Sequence, residues 1–181
     1  MSKNCVLKGT LITLNDNKKK IENLKVGEKL LSYSIEGIEN TQIKSELGKT
    51  KVNNFKGEFS YQLIKNIWKN KLNRYYKINN KLEITGDHYI MCQKQDQKKY
   101  FWIQVKDLLL GDSLFKSDGN FENIFNIELI EQEIIVYNIQ VNSIYSYFAN
   151  DYLIHNGAFN CDTKACSACY NAYNGGGGGA I

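Results

Sequence analysis

"IENLKVGEKLL", residues 21–31, returns as "VKDLLLGDSLF" at residues 105–115. Leu24 aligns with Leu108, Gly27 with Gly111, Glu28 with Asp112 and Leu30 with Leu114, so both copies read Leu-x-x-Gly-acid-x-Leu. The spacing suits a short turn with apolar anchors, a glycine bend and then a strand. Two unrelated β-turns can share such a pattern by chance. Read as a duplication, it implies one β-unit used twice and two halves related by a pseudo-twofold axis. Such an arrangement brings the first and last strands together at the centre.

The sequence around the repeat supports strands. Short apolar, β-branched runs recur between Asn, Asp and Gly: "TLITL" (10–14), "KLLSYS" (29–34), "YYKINN" (75–80), "HYIMCQ" (88–93), "NIFNIELI" (123–130), "IIVYNIQV" (134–141) and "YSYFAN" (145–150). Many short strands with frequent turn signals predict an all-β fold, a sandwich, barrel or horseshoe, with few or no helices. The best helix candidate is "SYQLIKNIWKN" (60–70). Its Leu63, Ile64, Ile67 and Trp68 fall at helical spacing, although the segment also suits a strand.

Composition narrows the function classes. The 181 residues suit one domain with a real core, and 43% apolar and 23% charged residues are an ordinary globular balance. A net charge of +4 is too mild to argue for nucleic acid. The basic run at residues 18–20 is expected at a solvated hairpin tip. With 0 prolines, turns must come from Gly, Asn and Asp. No apolar stretch approaches the ~20 residues of a membrane span, and the N-terminus lacks a secretory apolar region. The expected setting is therefore reducing and cytoplasmic, and the expected state a monomer. Five unevenly clustered cysteines do not form a disulfide framework. Cys161, Cys166 and Cys169 lack a fourth ligand nearby, so neither a metal nor a cofactor is expected.

Chemistry-bearing residues sit near both ends and in the middle. Cys5 precedes Gly9-Thr10 and the first strong strand. His88 closes "TGDH", three residues after Thr85. "LIHNGAFN" (153–160) places His155 and Asn156 before Gly157. Each signal alone has a plainer reading: a buried structural cysteine, a satisfied histidine, and an Asn-Gly hairpin turn.

Taken in order, the set resembles the Hint family of inteins, bacterial intein-like domains and the hedgehog autoprocessing domain. "CVLKGTLI" is similar to the family's opening motif, "TGDH" to its Thr-x-x-His motif, and "VYNIQV" with "YFANDYLIHN" to its last two strands and terminal His-Asn. The resemblance implies a horseshoe-like Hint β-fold with an internal pseudo-twofold and no homing endonuclease. It sets the domain at residues 5–156, an N-terminal flank at 1–4, and a Gly-rich, flexible C-terminal flank at 157–181. It further implies autocatalytic processing of the chain's own flanking segments. Cys5 would shift the Asn4 acyl group from nitrogen to sulfur, with Thr85 and His88 assisting. Asn156 would then cyclise beside His155 and cut before Gly157.

Three departures temper that expectation. Gly157 stands where splicing needs a Cys, Ser or Thr nucleophile, Asn138 where the family often carries Asp, and Tyr145 where it commonly carries His. The pattern therefore predicts cleavage over ligation. A junction at Asn160–Cys161 would supply a nucleophile but leave His155 without a role. A hedgehog-type sterol transfer would need more than this short, polar tail. The contrasting class is a non-catalytic β-rich interaction module in which Asn156-Gly157 is only a turn.

Overall fold

The computed structural model describes residues 4–38 and 47–156. The expectations for Gly157, the glycine-rich tail and Cys161, Cys166 and Cys169 lie outside the described residues. In chain order the strands are β1 (Val6–Leu7), β2 (Leu11–Thr13), β3 (Lys18–Lys20), β4 (Lys29–Ile35), β5 (Gly57–Leu72), β6 (Tyr75–Ile78), β7 (Leu82–Ile84) and β8 (Tyr89–Gln93). They continue as β9 (Tyr100–Gln104), β10 (Ser113–Phe115), β11 (Phe121–Asn123), β12 (Ile127–Ile130), β13 (Ile134–Val141), β14 (Ser146–Ala149) and β15 (Tyr152–His155). Two 3-10 turns, Ile21–Asn23 and Val105–Asp107, are the only helical elements among the described residues. The fold is all-β, as the turn-punctuated runs require.

Two antiparallel sheets result. The first runs β12-β6-β7-β1-β13-β5-β4, and the second β11-β10-β8-β15-β14-β2-β3, with β9 on β8. At the centre of the first sheet Val6 pairs directly with Ile84. On either side stand β6 and β13, then β12 and β5, so six of the seven strands are arranged symmetrically about that pair and β4 is the additional outer strand. In the second sheet the β14–β15 hairpin sits between β2 and β8. Its two-residue loop, Asn150-Asp151, has φ of 43° and 73° at its central positions, a conformation that Asn and Asp tolerate.

The repeat read from sequence is a structural duplication down to single hydrogen bonds. Leu24 N–H donates to Ile21 C=O at 3.3 Å, and Leu108 N–H to Val105 C=O at 3.2 Å. Gly27 and Gly111 have φ of +90° and +88°, where a side chain would be strained. Their N–H groups donate to the carbonyls of Ile64 and Ile124, each at 2.9 Å. The acid that follows caps its own turn: Glu28 accepts from Lys25 N–H at 2.7 Å, Asp112 from Leu109 N–H at 2.9 Å. Each acid also pairs with a lysine at 2.7 Å, Glu28 with Lys19 and Asp112 with Lys94. The symmetry reaches upstream. Ile21 N–H donates to Thr10 C=O and Val105 N–H to His88 C=O; Thr10 N–H donates to Leu7 C=O and His88 N–H to Thr85 C=O. Thr10 and His88 are thus equivalent, as are Leu7 and Thr85. One half has an apolar residue and a structural threonine where the other carries the Thr-x-x-His pair.

The equivalent acids differ in burial, and that predicts unequal cost. The Asp112 and Lys94 side chains are 2% and 11% exposed, against 29% and 30% for Glu28 and Lys19. Asp112→Ala leaves the Lys94 ammonium unpaired in a buried setting and the Leu109 N–H without its acceptor. Its expected cost in urea unfolding is about 3–5 kcal/mol. Glu28→Ala, whose ion pair is partly solvated, is expected to lose less than half as much from the pair. Equal losses at the two positions would argue against this account.

Two expectations are corrected. Residues 60–70 are not helical: they belong to β5, which pairs with β4 through Gly57–Leu63 and with β13 through Ile64–Leu72. A strand satisfied along its whole length by two partners outweighs a helical spacing of four apolar residues. The run Lys18–Lys20 is not a hairpin tip but strand β3, paired with β2 at the sheet edge. Lysines on an edge strand deter pairing with another chain.

Candidate active site

Cys5 lies one residue before β1, at the centre of the first sheet, buried in one apolar cluster with Leu7, Tyr75 and Val136. β1 is only two residues long, so its ends are held by side chains as well as by its ladder. Thr85, immediately after β7, holds Cys5 on both sides. The Thr85 hydroxyl accepts the Cys5 N–H at 3.0 Å, and the Thr85 N–H donates to the Cys5 C=O at 3.0 Å. The hydroxyl proton is directed at the same Cys5 carbonyl, at 3.2 Å. The N–H so gripped belongs to the Asn4–Cys5 peptide bond.

His88 follows Thr85 on the same turn and is fully buried. Its Nε2 lies 2.7 Å from the His155 carbonyl oxygen. A carbonyl oxygen only accepts, so the proton sits on Nε2, and a neutral His88 ring carries its lone pair on Nδ1. One histidine thereby reaches from the Thr85 turn to the residue before Asn156. His155 ends β15, buried, with its ring edge-on to Trp102 at 5.2 Å and tilted against Tyr145 at 6.4 Å.

Asn156 is buried and tied to the residues before β14. Its N–H donates to the Tyr145 C=O at 2.8 Å. The neighbouring groups dictate the amide orientation: Oδ1 accepts from Val141 N–H at 2.8 Å and Nδ2 donates to the Tyr145 C=O at 3.1 Å. Tyr145 thus serves Asn156 through its backbone as well as bordering His155 with its ring. Asn138 lies on β13. Extending the register in which Val6 faces Tyr137 by one residue sets Asn138 opposite Cys5. The Asn138 Oδ1 accepts the N–H of Ile139 at 2.9 Å.

The structure therefore brings Cys5, Thr85, His88, Asn138, Tyr145, His155 and Asn156 to the meeting point of β1, β7, β13 and β15. Two side chains at this point carried no signal in the sequence. The Tyr147 hydroxyl is fully buried without a hydrogen-bond partner among the described residues, and burial, then the nearby Cys5, pushes its phenol well above the usual range. In sequence it is one more aromatic of an apolar strand. Asn4 is the other.

Cys92 provides a contrast to Cys5. Burial, reinforced by Asp112, pushes its thiol up to about 12. Burial penalises the thiolate, so at neutral pH Cys92 stays protonated and inert. Peptide mapping after iodoacetamide treatment of the folded protein is expected to show Cys92 unmodified, with labelling only after denaturation. Labelling of Cys92 in the native state would contradict this environment.

A two-sheet β-fold with a central duplication and with Cys, Thr-x-x-His and His-Asn converging at its middle defines the Hint and intein class of autocatalytic protein-processing domains. Within that class the chain belongs to the pretoxin Hint domain family, which matches residues 11–160. Solved structures agree on the fold. The bacterial intein-like domain from Clostridium thermocellum is similar with a TM-score of 0.65 and 20% identity, over 86% of this chain and 100% of that one. The TvoVMA intein has a TM-score of 0.65 and 14% identity, covering 85% and 98%. The DnaB intein from Synechocystis sp. PCC 6803 has 0.59 and 14%, covering 86% and 100%. No curated protein matches the chain. No helix among the described residues is long and apolar enough to cross a membrane.

Proposed function

We propose that this domain cuts its own chain at two junctions, by an N–S acyl shift at Asn4–Cys5 and by cyclisation of Asn156 before Gly157, and that cleavage prevails over splicing. The observation that carries this reading is the Thr85 clamp on Cys5, joined through His88 to the His155 carbonyl. Cys5 Sγ attacks the Asn4 carbonyl carbon, the C–N bond breaks, and the Cys5 nitrogen leaves as an amine. The exchange is uphill in free solution, so a buried peptide whose N–H is held by Thr85, next to a Cys5 carbonyl that Thr85 also pins, is where the fold can favour it. His88 Nδ1, opposite its carbonyl-bound Nε2, takes the thiol proton and returns it to the departing nitrogen.

At the other end the Asn156 side-chain nitrogen attacks its own backbone carbonyl, which closes a succinimide and releases Gly157. The hydrogen bonds to Val141 and Tyr145 hold that amide in one orientation, and a short tether supplies much of the entropic advantage. Gly157 has no side chain to accept an acyl group, so the flanks are not joined. Its backbone nitrogen also opens a competing path, attack on the Asn156 side chain, which deamidates instead of cutting. Each tenfold preference between the two needs only ~1.4 kcal/mol, within reach of one oriented hydrogen bond.

Intact mass of the freshly expressed full chain over a long neutral incubation tests the reading. Fragments bounded at Cys5 and Gly157 are expected, and Gly157→Cys is expected to yield a spliced product joining residues 1–4 to the tail. A chain that stays whole and only deamidates would be an interaction module with an Asn-Gly turn.

A further inference from the structure

The Asn4 side chain has no part in the steps above, yet it is the anomaly of the site. It is 4% exposed, and both Oδ1 and Nδ2 are buried with no hydrogen-bond partner among the described residues. A primary amide brings two donors and two acceptor lone pairs, and buried ones are ordinarily paired. The contrast with Asn156 is direct, since that amide is bonded on both sides. Among the described residues no hydrogen bond turns the Asn4 nitrogen elsewhere, and the carbonyl carbon of its own residue is one five-membered ring closure away.

We propose that Asn4 resolves the thioester formed at Cys5. This rests on the acyl shift argued above. Once the Asn4 acyl group is on sulfur, Asn4 Nδ2 attacks the thioester carbonyl carbon. A C–N bond forms, the C–S bond breaks, and the Nδ2 proton passes to the Cys5 sulfur. The N-terminal segment leaves with a C-terminal succinimide at Asn4, and Cys5 is left with a free amine and a thiol. No water, added thiol or second nucleophile is consumed. Thioesters are far better acyl donors than amides, so the same side chain that is idle against the peptide bond becomes effective after the shift. With glycine at 157, the chain offers the acyl group no acceptor directly after Asn156. An acceptor built into residue 4 supplies one.

The test uses the full chain incubated at neutral pH without thiol, quenched in acid, and its Asn4→Ala variant. The released segment is expected to be one water lighter than the free acid of residues 1–4. Asn4→Ala is expected to lose at least ~90% of the spontaneous release rate while still yielding its segment to hydroxylamine. Asn4→Gln, which closes a larger and slower ring, is expected to fall between the two and guards against a misfolded alanine variant. A free-acid terminus, with Asn4→Ala releasing as fast as wild type and hydroxylamine cleaving both, overturns the proposal and leaves the thioester standing. If hydroxylamine releases nothing from either protein, the acyl shift itself fails. A succinimide-terminated segment from Cys5→Ala would show attack on the amide directly and overturn the thioester route.

Discussion

Cys5→Ala is expected to keep the fold and lose all release of residues 1–4 under dithiothreitol or hydroxylamine. In the proposed acyl shift the sulfur is the atom that receives the acyl group, and alanine offers nothing in its place. The change removes one atom from a small apolar cluster with Leu7, Tyr75 and Val136, so the loss of packing is modest. The Thr85 clamp engages only the backbone of Cys5 and survives the substitution. Intact mass against time, with and without nucleophile, gives the result. If the alanine variant sheds its N-terminal segment at the wild-type rate, Cys5 is not the acyl acceptor. Cys92, buried beside Asp112 and protonated, cannot substitute for it.

His88→Ala is expected to slow both junctions, the N-terminal one by about 10²–10⁴-fold, the range lost with a general acid–base group. The double effect follows from the position of the ring. It adjoins the Thr85 turn on one side and binds the His155 carbonyl at 2.7 Å on the other. The sequence alone suggests a role confined to the N-terminal step; the hydrogen bond to His155 extends it to the segment that presents Asn156. His88→Gln separates the two contributions. Its amide can still donate to the His155 carbonyl, but it cannot exchange a proton near neutral pH. It is expected to be as slow as alanine at Asn4–Cys5 and close to wild type at Asn156–Gly157. A loss that is equal at both junctions in both variants, with a lowered melting temperature, would mean that His88 only holds the strands together.

How much of this was legible beforehand depends on the range of each interaction. The Leu-x-x-Gly-acid turns were readable because the acid caps a backbone N–H three residues before it, and glycine suits their φ near +90°. The strand character of β4, β8, β13 and β14 was readable from β-branched runs between turn residues. β5 was not, because its state is set by two partner strands and not by its own periodicity. The same holds for the short β1 and β7, which are strands because each has a ladder partner on both sides.

The sequence by itself determined the chemistry available at the two junctions. A thiol follows Asn4, an asparagine precedes Gly157, and glycine brings no side-chain nucleophile; these are relations between adjacent residues, set by covalent connectivity. It also determined the duplicated turn that makes two halves of one fold. Only the tertiary structure decided which groups lie against those two places. Thr85 grips a peptide 80 positions away, and His88 meets a carbonyl 67 positions away. It alone decided that the Asn4 amide is buried without a partner among the described residues while the Asn156 amide is held at both ends. Such contacts depend on strand register and on the order of strands within a sheet, and a one-residue slip would dissolve them all. That information is shared across the whole chain, so it becomes visible only when β1, β7, β13 and β15 are assembled.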